Sequence, residues 1–193
     1  MTGVRSTARH PIRVSPLPQA ERRQAIIAAV LPLIVERGAA VTSRELAAAA
    51  GVAEGTIFKA FGDKDQLFAA VVEHAVDPTA FEVAVRALDP QLSFELRLVA
   101  VTELMQRRML DLWRLLHQLG RLPDDVTGTR LPDNPAVVEV FEAARDRVRV
   151  PPLDAARRLR AIMLALSNPM LVDPPLNATD IVDVFLHGSG VAR

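Results

Sequence analysis

The sequence predicts an all-α protein, and three features of its composition support that fold class. Half of the 193 residues are apolar, so the chain can bury a sizeable core, and alanine and leucine, which favour helices, dominate. Aromatic residues make up only 4% and tyrosine is absent, so the alternation of Val, Ile, Thr and aromatic residues that is typical of strands is hard to find. Cysteine is also absent, which excludes disulfides, thiolate metal ligands and a cysteine nucleophile.

The sequence also carries no signal for membrane insertion or export. No stretch approaches the ~20 continuous apolar residues of a membrane span. Residues 1–20 are polar and contain proline, without the apolar segment of a signal peptide. We therefore expect a soluble, cytoplasmic protein with no membrane partner.

Charge is distributed unevenly along the chain, although its net charge is zero. Residues 1–64 contain nine Lys and Arg against five Asp and Glu, whereas the remaining residues contain 14 against 18. A basic N-terminal third attached to an acidic remainder is compatible with a polyanionic partner for that third. Ordinary solvated surface charge would explain the imbalance equally well.

The first elements are an arm and a long helix. Residues 1–18 hold three arginines, three prolines and no helical period, so we predict a flexible, solvated arm, with entry into a DNA minor groove as the alternative. Apolar residues recur at helical spacing over residues 19–37, and Gly38 ends the pattern. Pro32 inside this helix removes a backbone hydrogen bond, so a kink is expected there.

Two short helices follow, joined by a glycine. Thr42 or Ser43 can cap the first of them, with Glu45 at the spacing of a capping box from Thr42, and Gly51 ends it. The second is predicted from about Ala53 to Phe61.

Helical patterns continue to the end of the chain. Asp63 can cap the next helix, with Gln66 three residues on, and Pro78 closes this block. Further helices are predicted at 79–88, 93–119, 135–148, 153–166 and 179–187, with a polar loop at 120–135.

The two short helices joined at a glycine have the outline of a helix-turn-helix. The residues predicted to face inward are Leu46, Ala47 and Ala50 on the first helix and Ile57 and Phe61 on the second. The outer face of the second helix is then free to enter a DNA major groove. An ordinary pair of packed helices has the same spacing, so the spacing alone leaves DNA binding open.

The residues around this pattern resemble the DNA-binding domain of the TetR family of bacterial transcriptional repressors. The family's pattern appears in VTSRELAAAAGVAEGTIFKAFGDKDQLFAAVVE as Thr42, Ala50-Gly51-Val52, Gly55-Thr56-Ile57-Phe58 with Phe61, and Lys64-Asp65-Gln66-Leu67. The resemblance covers residues from about 22 to 74. It implies a DNA-binding domain at 19–76, after the arm at 1–18, and a regulatory and dimerisation domain at 77–193.

The resemblance also implies which residues contact the DNA backbone. Thr42, Arg44 and Lys64 are expected at phosphates, Lys64 with the help of the positive end of its helix. Gly55 is expected to let the recognition helix approach the DNA closely. Phe58 departs from the pattern, since the family usually has tyrosine there, so a hydroxyl–phosphate bond is missing and only apolar or sugar contact remains.

Base edges are the other expected contacts. Lys59 and Glu54 are the candidates for base readout, with guanine and cytosine as their partners, and Thr56 can bond a phosphate or a base edge. The complete set of predicted DNA-binding residues is Thr42, Ser43, Arg44, Ala53, Glu54, Gly55, Thr56, Phe58, Lys59 and Lys64.

For the C-terminal domain, the resemblance implies a small-molecule effector and a homodimer formed through about residues 152–168 and 178–189. Apolar stripes in both segments suit such an interface, and an intramolecular core would produce the same stripes. A ligand pocket is expected between 93–119 and 135–148. Its candidate residues, which ordinary core packing would also explain, are Met105, Met109, Trp113, Leu116, His117 and Phe141.

Motifs of catalysis are not found. The chain has no Gly-x-Ser-x-Gly elbow, no glycine-rich phosphate loop and no His-Glu-x-x-His motif. Ser167, Asp183 and His187 can be combined into a triad on paper, but any chain of this length offers such a set. We expect no enzyme, cofactor or metal.

The function predicted from the sequence is a dimeric transcriptional repressor that binds a palindromic operator in double-stranded DNA and is released by a small-molecule effector. The alternative is an effector-independent DNA-binding regulator or an activator. A more remote alternative is a small-molecule-binding or catalytic helical protein with a vestigial DNA contact.

Overall fold

The computed structural model describes residues 18–120 and 132–188, and within them it contains helices and no strand, which confirms the all-α fold class. The predicted arm at 1–18, apart from Pro18, most of the predicted loop at 120–135, and residues 189–193 lie outside the described residues. The α-helices are α1 (Gln19–Arg37), α2 (Ser43–Ala49), α3 (Glu54–Phe61), α4 (Lys64–Val76), α5 (Thr79–Arg86), α6 (Phe94–Gln118), α7 (Pro135–Glu142), α8 (Pro152–Leu166) and α9 (Ala178–His187). Two 3₁₀ turns, Gly38–Ala40 and Arg145–Arg147, follow α1 and α7.

The first four helices close around one apolar core. Each contributes residues that are almost fully buried, among them Ile34, Leu46, Ile57 and Leu67. Helix α1 continues through Pro32 to Arg37, and Pro32 lies on its exposed side. Burying this apolar surface is the main source of stability for helices as short as α2 and α3, which would be marginal alone.

The remaining helices enclose a second core, and α6 belongs to both. Leu98, Val101 and Met109 of α6 pack in the second core, whereas Leu115 and Leu116 near its end are buried in the first. At 25 residues, α6 is about 37 Å long, enough to reach from one core to the other.

Gly38 lies where the end of α6 meets the N-terminal domain. It is buried and has φ +60° and ψ −145°, and a Cβ atom built on it would lie 2.2 Å from the Gln118 carbonyl oxygen. A side chain at this position would therefore collide with backbone as well as strain φ.

A second contact joins α6 to the end of α4. Arg108 is partly buried, and its Nη2 donates to the Val76 carbonyl oxygen at 2.5 Å. Its guanidinium also lies 5.7 Å from the ring centroid of Phe81 on α5. One arginine thus links three helices at the boundary between the two cores.

One helix is shorter than the sequence predicted. The helix expected over 135–148 ends at Glu142, and Ala144 leaves helical geometry with φ −126° and ψ +41°. The residues that follow are two alanines and then Arg-Asp-Arg, which have no large apolar side chain to bury, so continuing the helix through them would gain little packing. Arg147 instead pairs with Glu95 at the start of α6.

The apolar stripes of α8 and α9 pack largely within the chain. Leu159, Met163, Ile181 and Val182 are buried in the second core. The other members of the two stripes that pack against that core are partly buried: Ile162, Leu166 and Phe185. The apolar pattern in these helices is thus accounted for mainly by intramolecular packing, the second of the two explanations that the sequence left open.

No helix in the described part of the chain is both long enough and apolar enough to cross a membrane.

Candidate nucleic-acid interface

Helices α2 and α3 pack against each other through a tight turn. Gly51 takes φ +64°, and the N–H of Val52 donates to the Ala47 carbonyl oxygen at 3.0 Å. No atom of residues 18–120 or 132–188 lies within 4 Å of the Cβ position of Gly51, so its backbone angle, and not a lack of space, accounts for glycine here. Ile57 and Phe61 face inward as predicted, at 2% and 3% exposure.

The opposite face of α3 is open to solvent. Of the residues predicted to meet DNA, Ala53, Glu54, Gly55, Phe58 and Lys59 are exposed, and Thr56 is partly exposed. The helix therefore presents one acidic, one basic, one hydroxyl and one aromatic side chain on a single surface. We call this surface, formed by residues 53–59 without Ile57, the outer face of α3.

Gly55 in the middle of this face has no structural reason to be glycine. It lies in regular helix, it shows no positive φ, and a Cβ atom built on it would meet nothing within 4 Å. Gly55 is the second residue of α3, so its cost relative to alanine is at most the value of about 1 kcal/mol for glycine in a helix interior. Because no contact within the described chain requires it, the bare backbone fits a partner that approaches more closely than a side chain would allow.

The start of α2 is held by the predicted capping box. The Glu45 carboxylate accepts from the Thr42 backbone N–H and from the Thr42 hydroxyl, both at 2.8 Å, and the Thr42 hydroxyl accepts from the Glu45 N–H at 3.3 Å. Arg37 at the end of α1 pairs with the same carboxylate. The hydroxyl of Thr42 is therefore engaged within the chain, and a phosphate at this position must compete with Glu45 for it.

These contacts lower the pKa of Glu45 to about 2. The backbone N–H of Thr42 contributes most, followed by the Thr42 hydroxyl and then by Arg37. All three favour the ionised carboxylate over the protonated form.

Replacing Glu45 by glutamine is expected to lower the melting temperature at neutral pH, because the charged partner of Thr42 and Arg37 is lost. A pKa that is lower in the folded than in the unfolded state stabilises the fold above the unfolded pKa, here 4.5, and that stabilisation is lost as the pH falls toward about 2. The difference in melting temperature between wild type and Glu45→Gln should therefore shrink between these two values. Thermal unfolding followed by circular dichroism measures it, with Glu54→Gln on the outer face of α3 as the control for removing one carboxylate. A difference that is independent of pH would contradict this role of Glu45.

Lys64 makes a contact that the sequence did not indicate. Its Nζ donates to the Ala39 carbonyl oxygen at 2.7 Å and lies 5.3 Å from the ring centroid of Phe68. The positive end of α4 is occupied by Asp63, whose carboxylate accepts from the Gln66 N–H at 2.8 Å. The expected phosphate contact of Lys64 must therefore use the other two protons of its ammonium group.

Two arginines support the interface from α1. Arg23 donates to the Ala60 carbonyl oxygen, and its guanidinium lies 4.4 Å from the ring centroid of Phe61, so it holds the end of α3 against α1. Arg37 orients Glu45 in the capping box. The sequence showed both only as basic residues on a helix, because their partners are distant along the chain.

Arg44 and Ser43, the other predicted contacts, form the first turn of α2. Arg44 is exposed and Ser43 is partly exposed, beside the capping box. The structure thus gathers the predicted DNA contacts at the start of α2, along the outer face of α3 and at the start of α4.

The six predicted ligand-binding residues are not brought together around one cavity. Phe141 is fully buried in the second core, with its ring centroid 5.9 Å from that of Phe94 and 5.7 Å from that of Phe185. Met109 is buried in the same core, and Met105 and Trp113 lie at its edge. Leu116 belongs to the first core and His117 is exposed, because the end of α6 has passed into the N-terminal domain.

A small depression lies beside Met105, between α7 and α8. Its volume is about 10 Å³, which is room for one water molecule. Asn134, which lines it, has a buried Oδ1 atom with no hydrogen-bond partner among the described residues. Apart from Met105, its lining residues are not those that the sequence indicated.

Ser167, Asp183 and His187, which could be combined into a triad from the sequence, do not form one in the structure. The Ser167 hydroxyl is buried and accepts from Gln106 Nε2 at 2.8 Å. Asp183 and His187 form an exposed pair on α9 with their Oδ1 and Nδ1 atoms 3.0 Å apart. Within the described residues, no cluster of three or more His, Asp or Glu side chains is arranged to hold a metal ion.

Comparison with known proteins supports the helix-turn-helix assignment. Residues 26–71 match the family model of bacterial regulatory proteins of the tetR family. A helix-turn-helix-type transcriptional repressor of Mycobacterium tuberculosis is 44% identical over 63 residues, which are 32% of this chain and 34% of that protein. A helix-turn-helix-type regulator of Mycobacterium bovis matches to the same extent. The match thus spans about a third of the length of these curated relatives.

Solved structures extend the similarity to the whole fold. The TetR-like regulator LfrR from Mycobacterium smegmatis, solved in complex with proflavine, superposes with a TM-score of 0.53 at 22% identity and covers 91% of this chain and 100% of its own. The TetR family regulator PfmR from Thermus thermophilus superposes with a TM-score of 0.50 at 16% identity, covering 86% and 98%. The resemblance to the TetR family that the sequence indicated is confirmed by the family model over residues 26–71. For the remaining helices, the solved structures show a similar fold.

Proposed function

We propose that this chain, which carries a helix-turn-helix domain of the TetR family, is a transcriptional repressor that binds a palindromic DNA operator as a homodimer and is released by a small-molecule effector. The observation that carries the DNA-binding part is Gly55. Its lack of a side chain costs helix stability, serves no contact in the described chain, and fits close approach by DNA.

The surroundings of Gly55 support base and phosphate recognition together. Glu54 and Lys59 offer an acceptor and a donor on the same face, which suit cytosine and guanine. Arg44 at the start of α2 adds a guanidinium for phosphate. In a dimer the two outer faces would read half-sites about 34–36 Å apart, or a multiple of that distance.

The two lysines are expected to contribute differently to DNA binding. Lys64→Ala should weaken binding to all duplexes alike, because an ammonium on a phosphate carries no sequence information. The slope of log affinity against log salt concentration should also become shallower by about one, since one phosphate contact is lost. Lys59→Ala should instead reduce discrimination at one base pair, by about 1–3 kcal/mol. Fluorescence anisotropy with a selected operator, its single-base variants and an unrelated duplex measures both effects. The matched control is Arg107→Ala, which removes an exposed cation on α6, away from both proposed interfaces. Unchanged binding in both lysine variants would contradict the assigned interface.

The proposed homodimer uses the outer sides of α8 and α9 and the segment between them. Met170 and Leu171 in that segment are 91% and 67% exposed, which is unusual for large apolar side chains. A second copy of the chain packed there would remove them from water. Sedimentation at micromolar concentration tests this, since a dimer has twice the 21.0 kDa mass of the chain, and a monomer at operator-binding concentrations would contradict it.

The proposed effector is supported by the fold, since LfrR was solved with proflavine bound. In this chain the second core is closely packed, so an effector must open it, and Met105, Met109 and Trp113 are the side chains best suited to rearrange. That close packing also favours the second candidate, a regulator without an effector. Thermal-shift screening of small molecules separates the two: the effector-controlled repressor requires a compound that raises the melting temperature and releases the operator.

A further inference from the structure

We propose that Phe58 is a specificity-determining residue that reads thymine, with its ring against the 5-methyl group of one thymine in each operator half-site. This inference rests on the proposed function and names one base that the outer face of α3 selects.

The ring of Phe58 is not needed to hold α3 in place. Ile57 and Phe61 anchor the helix, at 2% and 3% exposure, whereas Phe58 is 42% exposed. A large aromatic side chain this exposed, on the surface that also carries Lys59, is placed to contact a partner and contributes only part of its area to the core.

The neighbouring Gly55 leaves space beside this ring. Phe58 follows Gly55 by three residues, so both lie on one side of α3. Helical side chains lean toward the N-terminus and cover the preceding turn, which here contains Gly55. Since nothing in the described part of the chain comes within 4 Å of the missing Cβ position, an open notch lies at Gly55 on the side of α3 that carries Phe58.

The chemistry of this notch selects among the groups in the major groove. Base edges there present hydrogen-bond donors and acceptors and one apolar group, the thymine methyl. A phenyl ring next to a bare glycine offers neither a hydroxyl nor an ammonium, so it can satisfy no donor or acceptor. The thymine methyl is the base substituent that gains from burial in such a place.

Deoxyuridine tests the proposal because it differs from thymidine only by that methyl group. Operators are first selected by the wild-type full-length chain from a random duplex pool. Each thymine of one half-site is then replaced singly by deoxyuridine, and affinities are measured by fluorescence anisotropy at fixed salt. We expect one position at which uracil weakens wild-type binding about fourfold, the effect of one buried methyl of about 0.8 kcal/mol.

Two variants tie this sensitivity to Phe58. Phe58→Ala is expected to bind the operator more weakly and to bind the thymine and uracil duplexes equally. Phe58→Tyr keeps the ring and should keep the sensitivity to uracil. The melting temperatures of both variants are measured alongside, so that a folding defect is separated from a binding defect.

The possible outcomes separate this inference from the function it rests on. The role of Phe58 is overturned if the chain binds an operator selectively but no thymine position is sensitive to uracil. It is also overturned if Phe58→Ala keeps the same sensitivity. The ring of Phe58 would then contact a sugar or another part of a base. If the wild-type chain enriches no sequence from the pool, the proposed function itself fails and the inference with it.

Discussion

Replacing Phe141 by alanine is expected to lower the free energy of unfolding by about 3–5 kcal/mol, since the cavity it leaves cannot be filled. Phe141 is fully buried, and its ring packs against Phe94 of α6 and Phe185 of α9. It thereby joins α7 to two other helices of the second core. Domains of this size are stable by about 5–15 kcal/mol, so one substitution would remove much of that margin. Urea unfolding followed by circular dichroism measures the loss as a lower midpoint at unchanged slope.

The chain offers the same substitution in an exposed setting as a control. Phe58→Ala removes a ring that is 42% exposed, and its effect on stability should be small by comparison, within about 1 kcal/mol. If Phe141→Ala costs no more than this, the ring is not part of a close-packed core. It would then suit the ligand pocket that the sequence suggested for it.

Replacing Gly38 by alanine is expected to destabilise the protein by about 3 kcal/mol or more. Its φ of +60° with ψ −145° lies near a region that only glycine adopts readily, which costs an alanine about 1–3 kcal/mol. The added Cβ atom would also lie 2.2 Å from the Gln118 carbonyl oxygen, so the end of α6 must move away from the N-terminal domain. That displacement adds about 1–3 kcal/mol. Urea unfolding again measures the sum.

Two other glycines distinguish the cost of backbone strain from the cost of the steric collision. Gly51→Ala keeps the strain of a positive φ without a collision, because the space around its Cβ position is open, so about 1–2 kcal/mol is expected. Gly55→Ala has neither strain nor collision and, because Gly55 lies in the first turn of α3, should stabilise the helix by no more than about 0.5–1 kcal/mol. The loss of stability should therefore fall in the order Gly38, Gly51, Gly55. If Gly38→Ala were as stable as Gly51→Ala, a steric clash with the end of α6 would not contribute to the loss of stability.

The features that were predicted well from the sequence depend on neighbours along the chain. The capping box of Thr42 and Glu45 and the cap formed by Asp63 were both predicted, and the structure contains both. A cap needs only a side chain and a backbone N–H three residues away, so its pattern is visible in the order of residues. The inward positions of Ile57 and Phe61 follow from helical periodicity in the same way.

The features that were missed depend on residues far apart in the chain. Lys64 bonds a carbonyl group 25 positions away, and Arg23 bonds one 37 positions away. Leu116 looked like a member of the ligand pocket, yet the end of α6 carries it into the first core. Periodicity can show that a residue faces inward, but not which of two cores it enters.

The sequence alone thus determined the helical class, the two short helices joined at Gly51 and the exposed outer face of the second of them. Each of these follows from local backbone preferences and from spacings of three or four residues. Only the tertiary structure decided that α6 joins two cores and that the apolar stripes of α8 and α9 pack mostly within the chain. It also decided that position 38 has no room for a side chain, because the Gln118 carbonyl group at the end of α6 packs against it. The physical reason is that apolar burial has no direction of its own, so the packing of the whole chain selects which apolar faces meet.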